Sequence, residues 1–141
     1  MSRDRFKLFL LLYQLLAGSG DAATGLLLIV APAWTLALMG VTHGSFTPAA
    51  TAFVGTFVLS VGLAYLYVLR LPMNPAYAPR WQTVWLLTAL TRTLVAGFLA
   101  WKIIAGQMES AWLTVAFTDG ALAVVQWTGL AKGWLQFDCA T

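Results

Sequence analysis

Four long apolar segments account for most of this chain, and they constrain its fold more than any other feature of the sequence. They cover about residues 6–31, 48–69, 82–101 and 110–131. Each is close to the roughly 20 residues that an α-helix needs to cross a hydrocarbon core at about 1.5 Å per residue. Only 9% of the 141 residues are charged, whereas a water-soluble domain carries about a quarter. The sequence therefore predicts an all-α membrane protein, with residues 1–141 forming one antiparallel bundle of four transmembrane helices.

The first segment also has features of a secretory signal peptide. A basic start and an apolar run, LFLLLYQLLA, precede the small residues GSGDAA, which is the usual order in such peptides. Apolar character resumes at once with GLLLIVA, and this makes the segment long enough to span a bilayer. We therefore interpret it as a retained helix.

Prolines predict where the segments begin and end. Pro32 ends the first helix, and Pro48 begins the second at a position where a missing N–H costs least. Pro72, Pro75 and Pro79 predict an extended, non-helical connection before the third helix. The connection over 33–47 is uncharged and fairly apolar, so we expect it at the membrane surface or across the end of the bundle.

The basic residues predict the orientation in a bacterial inner membrane, because cytoplasmic loops carry an excess of Lys and Arg. Lys102 lies alone on one side, and six others lie on the opposite side: Arg3, Arg5, Lys7, Arg70, Arg80 and Lys132. Both termini are therefore predicted to be cytoplasmic. Tryptophans near the predicted helix ends suggest an aromatic belt, with Trp34, Trp101 and Trp112 outside and Trp81, Trp85, Trp127 and Trp134 inside.

Three ionisable residues interrupt the apolar spans: Asp21, Arg92 and Asp119. Such residues cost about 2.5–3.5 kcal/mol each at a helix centre, so they normally face the protein interior and find partners. Each lies about ten residues from the predicted outer boundary, or roughly 15 Å deep, and Thr56 reaches the same level. The sequence predicts one polar layer within the bundle.

Helical spacing indicates which other residues share these faces. Gln14, Gly18, Asp21 and Gly25 follow a 4-3-4 spacing, Thr88 and Arg92 are four apart, and Asp119 and Gln126 are seven apart. Small and polar residues of this kind are typical of helix contacts in membranes. We therefore predict a polar cluster, or ligand site, composed of Asp21, Thr56, Thr88, Arg92, Asp119 and Gln126.

Two carboxylates and one guanidinium leave one uncompensated charge in a medium where such a charge is expensive. Our hypothesis is that Arg92 pairs bidentately with one aspartate and that the other aspartate is protonated or hydrogen-bonded. Three interpretations stay open at this point. The cluster could be a clasp that fixes helix register, a site for a ligand, or a path for protons or ions.

Other chemistry has little support in the sequence. His43 is the one histidine and lies in the outer connection, while Cys139 is the one cysteine and lies near the end. These two predict no metal site, no intrachain disulfide and no intrinsic cofactor, although a bound lipid or quinone is compatible. No nucleotide-binding motif is present, and an enzyme is disfavoured. Gly129 and Gly133 form a small-xxx-small pair that could contact a partner subunit or occur by chance.

Four stretches carry a resemblance to a known family. They are GLLLIVAPAWTLALMGV, FVGTFVLSVGLAYLYVLR, the arginine-containing LTRTLVA, and a final helix with small residues. The chain resembles the DoxX-like small four-helix membrane proteins, some of which accompany quinone-linked oxidoreductases as membrane subunits. The resemblance implies a compact antiparallel four-helix bundle and assigns no catalytic residue.

These observations favour a non-catalytic integral membrane subunit that docks within or stabilises a larger complex of respiratory or photosynthetic type. Its expected partners are the bilayer and other membrane proteins or copies of itself, and not nucleic acid. One alternative is a binding protein for a quinone or lipid-like ligand, with Arg92 and Asp119 as polar anchors. Another is a small transporter or proton path that uses Asp21 and Asp119.

Overall fold

The computed structural model describes residues 3–41 and 47–137, and within these ranges the chain is helical apart from its connections. The elements in chain order are α1 (Arg3–Val30), α2 (Pro32–Leu38), α3 (Pro48–Leu69), α4 (Ala78–Ile104), a 3₁₀ turn (Ser110–Trp112) and α5 (Leu113–Ala131). The prediction of an all-α protein is confirmed. His43 and Cys139 lie outside the described residues.

Within the described ranges, three helical stretches are long and apolar enough to cross a membrane: Asp4–Val30, Pro48–Leu69 and Ala78–Ile104. This result rests on length and composition, and it supports a membrane protein. Helix α5, with 19 residues, is not among the three, although the span Asp4–Val30 also contains an aspartate and a glutamine. A four-helix bundle, the type of membrane and cytoplasmic termini stay predictions.

The observed helix bounds agree best with the sequence at α3, which coincides with the predicted 48–69. Its first turn is capped by Thr47, whose hydroxyl oxygen accepts a hydrogen bond of 3.2 Å from the Ala50 N–H. Pro48 follows this cap, at a position where the absent N–H would have no helical partner. Helix α1 ends at Val30 and Pro32 begins α2, so the predicted interruption at this proline is also observed.

The connection before α4 differs from the prediction in two ways. Helix α4 begins at Ala78, four residues before the predicted Gln82, because Pro79 lies in the first turn, where proline is tolerated. The preceding connection is non-helical but is turned and not extended. Asn74 organises it, accepting hydrogen bonds of 3.1 Å from the Ala76 N–H at Oδ1 and from the Tyr77 N–H at its carbonyl.

The described part of the chain divides into two compact units. The first contains α1, α2 and α3, in which α1 packs on α3 over much of its length. The second contains α4, the 3₁₀ turn and α5, in which α4 packs on α5. In each unit the two long helices run antiparallel, since residues early in one helix contact residues late in the other.

Glycines hold α1 and α3 close together in the first unit. A Cβ atom added at Gly25 would lie 2.7 Å from the Gly55 carbonyl oxygen, and one added at Gly62 would lie 2.8 Å from that of Gly18. Real Cβ atoms do not approach backbone this closely, so the helices can meet only where side chains are absent. Small residues permit the same close approach in membrane helix pairs generally.

Larger side chains fill the rest of the α1–α3 contact. Leu10, Gln14, Tyr65 and Val68 are all fully buried. The Gln14 side-chain amide donates a hydrogen bond of 3.2 Å to the carbonyl of Tyr65. This bond gives a buried polar group a partner, which is needed because an unsatisfied amide would be costly in an apolar interior.

Tryptophans fill the contact in the second unit. Trp81 and Trp85 are both fully buried, and a Cβ added at Gly129 would lie 2.5 Å from the ring of Trp85 and 2.8 Å from that of Trp134. The aromatic-belt interpretation is therefore wrong for Trp81 and Trp85, which do not face the exterior as belt residues do. Gly129 contacts residues of its own unit, so the notion that it forms a notch for a partner subunit is also wrong.

Gly133 has a different role from Gly129. Its φ angle is +66°, a conformation that favours glycine. The Trp134 N–H donates to the Gly129 carbonyl and the Gly133 N–H donates to that of Leu130. This is a Schellman motif, and it ends α5.

Candidate functional site

An ion pair joins α4 to α5 at the centre of the second unit. Arg92 is 3% exposed, and its Nη1 donates a hydrogen bond to Oδ1 of Asp119, whose side chain is 17% exposed. An isolated buried charge would be strongly unfavourable, and the opposite charge on the adjacent helix offsets much of that cost. The structure thus brings together two of the residues singled out in the sequence.

A second polar contact lies about two turns along α5. The side-chain amide of Gln126 donates a hydrogen bond of 2.6 Å to Oγ1 of Thr88, and the Thr88 hydroxyl donates one of 2.7 Å to the Val84 carbonyl. The same Gln126 nitrogen lies 3.4 Å from the carbonyl oxygen of Trp85. Gln126 is fully buried and Thr88 nearly so, so the contact occurs away from the protein surface.

Together these residues form the α4–α5 polar stripe, which we define as Thr88, Arg92, Asp119 and Gln126. The members on each helix are four or seven residues apart, which places them on one helical face. Beyond the stripe, the indole N–H of Trp127 donates a hydrogen bond of 3.0 Å to Oγ1 of Thr93. The register of α4 on α5 is thus specified by several side-chain pairs.

Two polar atoms of the second unit, one of them in the stripe, are buried without a hydrogen-bond partner among the described residues. These are the Gln126 carbonyl oxygen Oε1 and the Trp81 indole nitrogen Nε1. Most buried polar atoms in proteins are paired, and each exception calls for an explanation. One atom, Gln126 Oε1, is an acceptor, and the other, Trp81 Nε1, is a donor.

Asp21 and Thr56, the remaining members of the predicted cluster, belong to the first unit. Asp21 is partly buried on α1, whereas Thr56 is exposed on α3. The Thr56 hydroxyl donates a hydrogen bond of 3.1 Å to the Ala52 carbonyl of its own helix. Within the first unit the Thr56 side chain is exposed, and its membership of a polar layer stays a prediction. A single layer that also includes Asp21 stays a prediction.

Sequence reasoning missed Gly55 and Gly62, which face Gly25 and Gly18 across the α1–α3 contact. A signal was present, since the seven-residue spacing of Gly55 and Gly62 repeats that of Gly18 and Gly25. The role of the Trp85 backbone carbonyl beside Gln126 had no such signal, because any residue at that position supplies a carbonyl.

Comparison with protein-family models, with characterised proteins and with solved structures finds no match to this chain. The resemblance to DoxX-like membrane proteins therefore stays a prediction.

Proposed function

We propose that this chain is a non-catalytic subunit of a larger membrane complex, of the respiratory or photosynthetic type predicted from the sequence, and that it acts through its apolar exterior. The observation that carries the proposal is that the polar side chains between α4 and α5 are mostly buried, whereas large apolar side chains are exposed. Apart from the Gln126 Oε1 atom, the α4–α5 polar stripe bonds within the described residues, whereas many of the largest exposed side chains are apolar. Examples, at 60–86% exposed, are Phe53, Phe57, Leu94, Trp101, Ile104 and Phe117.

Exposed glycines favour contact with another protein over contact with lipid alone. A Cβ added at Gly20 on α1 or at Gly97 on α4 would have no heavy atom within 4 Å. Packing among residues 3–41 and 47–137 therefore does not require a glycine at either position. In membrane helices, exposed small residues allow the backbone of another helix to approach closely.

The test is extraction of the native protein from its membrane in mild detergent, followed by native mass measurement and identification of partners. We expect the 15.3 kDa chain to migrate within a larger assembly of reproducible composition. Gly97→Leu should release the chain from that assembly if α4 docks there. Leu94→Ile is the matched control, because it changes an exposed apolar side chain on the same helix while keeping its volume. A clean wild-type monomer from native membranes would exclude the subunit role.

A second candidate is a binding protein for a quinone or lipid-like molecule. Gln126 Oε1 and Trp81 Nε1, which have no hydrogen-bond partner in the part of the chain that the structure describes, favour it. A quinone offers carbonyl acceptors and a quinol offers hydroxyl donors, so either could bond to one of these groups. Mass spectrometry of small molecules that copurify with the wild type and with Gln126→Leu tests this role. We expect a bound molecule to be lost from the variant, and equal recovery from both proteins would contradict binding at Gln126.

A further inference from the structure

Lys102 lies in the last turn of α4, where three side chains hold its ammonium group. Its Nζ atom donates a hydrogen bond of 2.7 Å to Oε1 of Gln107. The same atom lies 4.6 Å from the ring centroid of Trp101 and 5.7 Å from that of Phe98, which is within the distance of a cation–π interaction. The position of this charge is therefore specified by two aromatic rings and one amide.

The turn after α4 brings Gln107 back to Lys102. Gly106 in this turn has a φ angle of +68°, a conformation that favours glycine. The Gln107 N–H donates to the carbonyl of Lys102, and the Gly106 N–H donates to that of Ile103, so α4 ends in a Schellman motif. The backbone of the turn thus places Gln107 beside the residue whose ammonium group it holds.

These contacts leave the charge of Lys102 without an opposite charge. An ammonium group has three N–H donors, and one of them has an acceptor among the residues that the structure describes. Glu109 follows in the same connection, but it is not bonded to Lys102. The indole N–H of Trp101, a residue that is 61% exposed, has no acceptor within the described ranges either. Charged and neutral donors are therefore both available at this end of α4.

The length of α4 places this end in the headgroup region of a bilayer that the helix crosses. Its 27 residues give about 40 Å at about 1.5 Å per residue. The hydrocarbon core is about 30 Å thick, so a helix centred on it extends about 5 Å into the polar region at each end. Toward the hydrocarbon, Leu94 and Phe98 are exposed, and they give acyl chains an apolar surface to contact.

We propose that this end of α4 binds the phosphate of an anionic phospholipid, at a site that we define as Phe98, Trp101, Lys102 and Gln107. The ammonium group supplies the opposite charge, and the Trp101 indole N–H supplies a neutral hydrogen bond. A zwitterionic lipid is less suited to the site, because its own cation would lie beside Lys102. The site is on the exterior of α4 and involves neither Gln126 nor a partner protein, so it does not depend on either proposed function.

The experiment titrates the purified full-length chain in mild detergent with phosphatidylglycerol or phosphatidylcholine and follows the first bound lipid by native mass spectrometry. Wild type should prefer phosphatidylglycerol. Lys102→Gln should weaken binding of that lipid about fivefold, the factor that one lysine contributes near anionic lipid, and should leave phosphatidylcholine binding unchanged. Lys132→Gln is the matched control, because it removes the same charge from an exposed side chain that has no contact of this kind in the described part of the chain. It should leave binding of the first phosphatidylglycerol unchanged.

Gln107→Glu separates loss of the site from loss of the fold. It keeps the size of the side chain but gives Lys102 a carboxylate partner, so it should weaken phosphatidylglycerol binding at least as much as Lys102→Gln. Thermal unfolding of the lipid-free chain should not change in this variant. Wild-type binding by Gln107→Glu would overturn the proposal. Equal weakening by Lys102→Gln and Lys132→Gln would overturn it too, because net charge alone would then explain binding. Displacement of the lipid by excess inorganic phosphate would indicate a site for a soluble anion and would also overturn it.

Discussion

The two units of this chain join a pair of long helices by different means. Helices α1 and α3 meet where side chains are absent, at Gly18, Gly25, Gly55 and Gly62. Helices α4 and α5 meet through large or polar side chains, which include a salt bridge, a buried amide and two tryptophans. One contact depends on the shape of the backbone, and the other depends on particular chemical partners.

This difference determines how each contact should respond to mutation. At its four glycines the α1–α3 contact has no side-chain polar group to leave unpaired, so it should be disrupted there by added volume and not by loss of charge. The Gln14 amide, which bonds to the Tyr65 carbonyl, lies elsewhere in the same contact. The α4–α5 contact contains groups that stabilise it only while their partners remain. Removal of one partner leaves the other buried and unpaired, which often costs more than the pair itself contributes.

The largest expected effect is on the ion pair. Asp119→Leu leaves the buried Arg92 without its carboxylate, and we expect the free energy of unfolding to fall by about 4 kcal/mol. Arg92→Leu/Asp119→Leu should recover most of that loss, because neither charge is then left alone. Unfolding followed by circular dichroism in detergent measures both. A double variant no more stable than Asp119→Leu would show that the pairing of charges is not what Asp119 contributes.

The next largest effect is expected at the α1–α3 contact. Gly25→Leu places a side chain where the backbone of Gly55 lies, and overpacking against backbone should cost about 3 kcal/mol. Gly20→Leu is the matched control on the same helix, since an added Cβ meets no atom within 4 Å there, and it should change stability by less than about 0.5 kcal/mol. Equal effects of the two substitutions would contradict a close glycine contact.

Much of the α4–α5 contact could be predicted from the sequence. The sequence predicts that Arg92 and Asp119 lie at a shared depth, and the structure joins them. Helical spacing places Thr88 on the face of Arg92 and Gln126 on the face of Asp119, and Thr88 and Gln126 are bonded as well. Ionisable and polar residues stand out in an apolar sequence, and their cost in lipid requires partners, so few pairings are available.

The tightest packing was less accessible to sequence reasoning. Glycine offers no side chain to identify its neighbour, so the pairing of Gly25 with Gly55 depends on helix register, which the seven-residue spacing suggests but does not determine. Trp81 and Trp85 lie near a predicted helix end, as tryptophans of an aromatic belt do, but both are buried. The same residue type suits a membrane interface and a helix contact, and only the packing distinguishes them.

A third effect tests whether shape also matters in the second unit. Gly129→Val would place side-chain atoms into the ring of Trp85, and because a buried indole has little room to move, we expect a cost of about 2 kcal/mol. Gly120→Val on the same helix is the control, since the nearest atom to an added Cβ is 3.9 Å away. Thermal unfolding of both variants measures the difference. Tolerance of valine at Gly129 would mean that Trp85 can be displaced at little cost.

The smallest effect is expected at Thr88, and it isolates the hydrogen bond from the ion pair nearby. Thr88→Val keeps the shape of the side chain but removes the acceptor for the Gln126 amide, and hydrogen bonds between membrane helices contribute about 1 kcal/mol. Thr91→Val is the matched control, because the exposed Thr91 hydroxyl bonds only to the Leu87 carbonyl of its own helix in the described contacts. Adding Gln126→Leu to Thr88→Val should lessen the loss, since the amide left unpaired is then absent. If the two threonine variants have the same free energy of unfolding, the Thr88–Gln126 hydrogen bond does not stabilise the α4–α5 contact. The charges and tryptophans would then distinguish this contact from the glycine contact of α1 and α3.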